Sequence, residues 1–91
     1  MITFTFTPSI PEALSYQAYG NWRIRQVSVQ EATQDVGEAF RWLQFCRQLE
    51  PGDALWFFKS PPVTWMRNAG KSGYLVMRGQ NVVDVFTSVE N

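Results

Sequence analysis

Three short runs in the second half of the chain carry apolar side chains at both odd and even positions: ALWFFK (54–59), GYLVMR (73–78) and NVVDVFTSV (81–89). Successive side chains of a strand point to opposite faces. A sheet built from these runs is therefore apolar on both sides and needs cover on both. Gly79-Gln80 between the last two runs fits a two-residue type II′ hairpin, with glycine supplying the positive φ at the first central position. On an unbroken register Val76 then faces Val83 and Tyr74 faces Val85. Leu75, Met77, Val82 and Phe86 share the other side, with Asp84.

The first half supplies the remaining elements. Ile2, Phe4 and Phe6 alternate with Thr3, Thr5 and Thr7, the period of a half-buried strand over 2–7, and Pro8 ends it. Ser9 and Glu12 have capping-box spacing around Pro11, which predicts a short helix over 10–18. Gly20-Asn21 is a turn. Residues 22–30 form a second strand. A bulge near Arg25-Gln26 would place Trp22, Ile24, Val27 and Val29 on one face, and a straight strand would split them; both arrangements stand open.

Val36, Ala39, Phe40, Leu43, Cys46 and Leu49 recur at helical steps, so the main amphipathic helix is placed at 35–49. Asp35 is its N-cap, with Glu38 three residues on, although a start near Gln30 also fits. Trp42 and Phe45 widen the apolar stripe, and Glu50-Pro-Gly-Asp53 stops it. The expected architecture is a single α+β domain over 1–91. It has a curved, mainly antiparallel sheet of about five strands and one main helix.

Cover is the difficulty with that architecture. Five strands span roughly 20 Å, at a spacing of about 4.8 Å, whereas a helix is about 10 Å across. The second sheet face is left to the long Lys59–Tyr74 loop, to the N-terminal helix, to barrel closure or to another chain. Large apolar patches rarely stay open, so self-association or a protein partner is expected, with Leu75, Met77, Val82 and Phe86 as the candidate interface.

The composition removes several chemistries. The chain has no histidine and one cysteine. It therefore lacks the commonest general base, a Cys-His or Ser-His pair, a zinc constellation and an intrachain disulfide. Cys46 lies on the helix stripe and reads as a small buried hydrophobe. Gly70-Lys71-Ser72 resembles the end of a phosphate loop, but Trp65 stands where that motif needs a glycine, and a strand follows instead of a helix. Asp84 among valines reads as an edge-strand gatekeeper ahead of a catalytic acid. No catalytic residue, metal or cofactor is expected.

Charge is balanced overall, eight basic against eight acidic residues, but unevenly placed. Residues 31–53 carry five acids and two arginines, whereas every charge from Lys59 to Arg78 is positive. Trp65, Arg67, Lys71, Tyr74 and Arg78 are thus the candidate binding residues, since rings between cations can stack bases and hold phosphates. A neutral domain lacks the basic footprint of a nucleic-acid binder. The same loop also reads as a packed Ω-type loop with Trp65 as its lid. The opening MITFTFTPS has neither the basic nor the apolar region of a signal peptide, and no stretch approaches ~20 apolar residues. The expectation is a small cytoplasmic, non-enzymatic interaction or oligomerisation module acting as a homodimer. The alternative is an anion- or single-stranded nucleic-acid-binding module.

Overall fold

The computed structural model describes residues 16–91. The strand expected at 2–7 lies outside the described residues, as does most of the helix expected at 10–18. The end of that helix is present at 16–19 and runs into a 3-10 turn at Gly20–Trp22. The elements that follow are β1 (Arg23–Val27), α1 (Val29–Val36), α2 (Phe40–Arg47), β2 (Ala54–Lys59), α3 (Pro62–Met66), β3 (Lys71–Arg78) and β4 (Asn81–Glu90). The four strands form one antiparallel sheet in the order β1-β2-β3-β4. The α+β class is as expected. Among the described residues the sheet has four strands, and the single helix at 35–49 is replaced by two. None of the helices in this region is long and apolar enough to cross a membrane.

The helical break sits at Gly37, whose φ of 91° is a conformation that side-chain-bearing residues rarely adopt. Its N–H closes α1 on the Thr33 carbonyl at 2.7 Å. The capping box lies earlier than expected. Ser28 Oγ accepts from the Glu31 N–H at 3.0 Å, and the Glu31 carboxylate accepts from the Ser28 N–H at 3.1 Å. Asp35 therefore falls in the last turn of α1. The kink also resets the phase of α2. Trp42 and Phe45 are its buried residues, with Cys46 and Leu49 partly buried, while Phe40 and Leu43 face outward.

A register shift decides which strand residues share a face. Val76 pairs with Asp84 but Met77 pairs with Val82, so Val83 is an extra residue in β4. Phe86 then pairs with Tyr74, where an unbroken register gives Val85. This corrects the expected grouping: Phe86 lies on the opposite face from Leu75, Met77 and Val82. A similar shift at Ile24 in β1 leaves that side chain 58% exposed. The hairpin turn is as read. Gly79 has φ 64° and Gln80 has no positive φ, the type II′ signature.

Two cores result, one on each sheet face. On the first, α1 and α2 bring Ala32, Trp42 and Phe45 against Val27, Leu55, Tyr74 and Val76, with Phe57 and Phe86 packed alongside. Trp42 is fully buried, and its indole N–H donates to Thr33 Oγ at 2.8 Å, tying α2 to α1. Its ring lies 5.3 Å from Phe45, 5.4 Å from Tyr74 and 5.0 Å from Phe86, within the range of favourable aromatic pairing. On the second face, Tyr19 joins Phe58, Leu75, Met77 and Val82, with Trp22, Trp56 and Val85 alongside. Gln17 Nε2 donates to the Val82 carbonyl at 3.3 Å, so the 16–22 segment is tied across this face.

Trp42→Ala removes the side chain shared by both helices and the sheet. It is expected to lower unfolding stability by about 3–5 kcal/mol, the usual cost of emptying a buried tryptophan site. Urea titration measures this, and a loss under about 1 kcal/mol would show that Trp42 is not the centre of this core.

Candidate functional site

The connection between β2 and β3 is a built structure. Ser60 is buried, and its Oγ accepts from the Lys71 N–H at 2.9 Å and shares a 2.6 Å hydrogen bond with Thr64 Oγ. Pro61 and Pro62 open α3, whose start needs no proline N–H. The Trp65 indole N–H donates to the Ser60 carbonyl at 3.1 Å. Asn91 holds the other side. Its amide donates to the Trp65 carbonyl at 2.9 Å, and its Oδ1 accepts from the Gly70 N–H at 2.8 Å. Gly70 is required here because a Cβ would lie 2.1 Å from Trp65 Cδ2, in hard overlap with the indole. The tryptophan is thus held against its own loop.

A groove of about 430 Å³ opens beside this loop, lined by Ile24, Lys59, Ser60, Pro61, Pro62 and Trp65. That volume lies at the small end of the ~300–1,000 Å³ range of ligand-sized sites. Its walls are a bulged edge-strand side chain, two prolines and an indole, and its lining includes no acid. The Lys59 ammonium lies 5.5 Å from the centre of the Trp65 ring, within cation–π reach. Lys59 is in no ion pair among the described residues.

The five candidate binding residues do not converge. Trp65 lines the groove and Arg67 is exposed at the end of α3. Lys71 lies 3.8 Å from the Glu90 carboxylate. The Tyr74 ring is buried on the helix-covered face. Arg78 is at the far end of the eight-residue β3, on the order of 23 Å from Lys71. The candidate interface residues are also placed inward. Leu75, Met77 and Val82 are buried in the second core, and Phe86 packs against the first. The exposed large apolar side chains among the described residues are instead Tyr16, Ile24, Val29, Phe40, Leu43, Val63, Met66, Val83 and Val89, the most open being Phe40 at 70% and Met66 at 83%. Ile24 and Phe40 stand out because a bulge and a helix kink point them outward, and neither device shows in a period count.

The polar groups outside the groove are largely spent on structure. Tyr74 Oη donates to Asp35 at 2.7 Å beside the Arg25–Glu31 pair, around a depression of about 250 Å³. Burial, and then the hydrogen bond to Asp35, push the phenol well above the usual tyrosine range, so it stays a donor. The Ser28 N–H, reinforced by Arg25, holds Glu31 below the usual carboxylate range, against the opposing effect of its desolvation. Burial raises the Cys46 thiol, the opposite of an activated nucleophile. Asp84 accepts from the Val85 N–H at 2.9 Å. Among the described residues no group of three or more His, Cys, Asp or Glu could hold a metal ion.

Among the described residues the tightest charge pair is Arg78 with Asp53. Nε and Nη2 donate to the two carboxylate oxygens at 2.9 Å each, and the Glu50 N–H adds a third bond of 2.9 Å. The Arg78 hydrogen bonds, and then that of Glu50, lower Asp53 to about 2. No protein family, curated protein or solved structure matches this chain.

Two measurements check this geometry. Gly70→Ala is expected to displace the indole and cost roughly 1–3 kcal/mol, the usual cost of overpacking. The accompanying red shift in tryptophan emission should vanish in a Trp65→Phe background. For Asp53, the folded value of about 2 lies below the ordinary carboxylate value, so the pair stabilises fully above about pH 4 and the contribution is lost as pH falls toward about 2. The melting-temperature gap between wild type and Asp53→Asn should be constant above about pH 4 and close below it. A gap that does not change with pH down to about 2 would remove the pair's role.

Proposed function

We propose that this chain is a non-enzymatic interaction module that works as a small cytoplasmic homo-oligomer, with the groove beside α3 as part of its contact surface. The observation that carries the reading is an apolar groove next to large exposed apolar side chains on a domain whose two sheet faces are both occupied by its own residues. Open apolar surface of this kind is normally covered by another chain. What further supports it is the use of the charged groups: Arg78, Asp53, Lys71, Glu90, Arg25 and Glu31 are engaged with one another.

The nucleic-acid or anion alternative has less support. Of its five residues only Trp65 and Arg67 remain near the loop without a competing ion pair or deep burial. Size-exclusion chromatography with light scattering tests the proposal. The wild type is expected to self-associate with rising concentration, and Ile24→Asp, which places a carboxylate in the groove, to shift it toward monomer. A wild-type monomer at every concentration removes the proposal.

A further inference from the structure

We infer that the groove beside α3 receives Phe40 of a second copy of this chain, with Glu38 of that copy meeting Lys59. The inference rests on the self-association proposed above and names the contact. The groove offers an apolar cavity of about 430 Å³ with one cation among its lining residues and no acid. Its occupant should therefore be an apolar side chain carried close to a carboxylate. The chain presents such a group. Phe40 begins α2 and is 70% exposed, turned away from the core that holds Trp42 and Phe45. Two residues before it is Glu38, exposed and in no ion pair among the described residues.

Phe40 is exposed in its own copy, so it does not fill that copy's groove. The complementarity is of polarity and charge together: an exposed aromatic side chain two residues from an exposed acid, and a groove walled by an indole, two prolines and an isoleucine with a lysine among its lining residues. Aromatic side chains seated in pockets are the usual anchors of interfaces, while rim charges set orientation and rate. A two-fold arrangement would use the contact twice, since in such an interface residue i meets j and j meets i. Open head-to-tail addition would give larger species.

Paired variants test the contact by sedimentation velocity over a concentration series. Phe40→Ser is expected to weaken self-association about 30-fold, the scale of losing an interface anchor. Glu38→Lys and Lys59→Glu are each expected to be monomeric, because like charges then meet at the contact. Mixing the two single variants, or combining them in one chain, should restore association, and rising salt should weaken the wild-type complex. Unchanged melting temperatures would exclude misfolding as the cause. Association that survives Phe40→Ser, or single charge variants that are not rescued by mixing, overturns this contact while leaving self-association standing. A monomeric wild type overturns both.

Discussion

Trp42 is the side chain on which the packing depends. It is fully buried, reaches Phe45, Tyr74 and Phe86 with its ring, and donates its one polar hydrogen to Thr33. One residue thereby fixes α2 to α1 and both helices to the sheet. A short helix of eight residues has little stability of its own, so its packed face decides whether it forms. The break at Gly37 serves this arrangement. A continuous helix through 35–49 would carry the 36–39–40–43 stripe to the sheet and turn Trp42 aside. Two helices with a glycine between them each present their own best face.

The second sheet face shows how a small domain manages strands that are apolar on both sides. Tyr19 and Trp22 lie across Phe58, with ring centres 5.1 and 6.5 Å away. The Arg23 guanidinium sits 4.9 Å from the centre of the Trp56 ring, and its Nε donates to the Gly20 carbonyl. An amphipathic arginine stem can cover apolar surface while its head stays in water. Aromatic turn residues and one arginine do work that would otherwise need another helix layer.

The surface left over is not where an alternation of apolar and polar residues would put it. Leu75, Met77 and Val82 were natural candidates for an open face, yet the chain buries them itself. Exposure moved to Ile24, pushed out by the β1 bulge, and to Phe40, pushed out by the helix kink. The basic stretch from Lys59 to Arg78 divides in the same way. The length of β3 separates its two ends, and Glu90, Asp53 and Glu50 neutralise Lys71 and Arg78, leaving Lys59 beside Trp65 as the cation of the groove.

Local chemistry alone determined much of this protein. The runs at 54–59, 73–78 and 81–89 are strands because they are short, apolar and bounded by turn residues, and the turn residues Gly79-Gln80 made the last two a hairpin. Trp42, Phe45 and Cys46 stand at helical spacing, so a helix over 40–47 is legible in residues near one another. The first helix is not: Val27 and Val29 extend a strand pattern to residue 30, and the Asp35–Glu38 spacing competes with the Ser28–Glu31 capping box that the fold uses. Tertiary structure decided what depends on distant partners. The extra residue at Val83 puts Phe86 on the Trp42 face, because a one-residue slip turns every later side chain to the other side. Asp35 became a partner of Tyr74, 39 positions away, and Asp53 a partner of Arg78, 25 positions away. Pairings of that kind arise only after the sheet has brought its strands together, and no periodicity in the sequence encodes them.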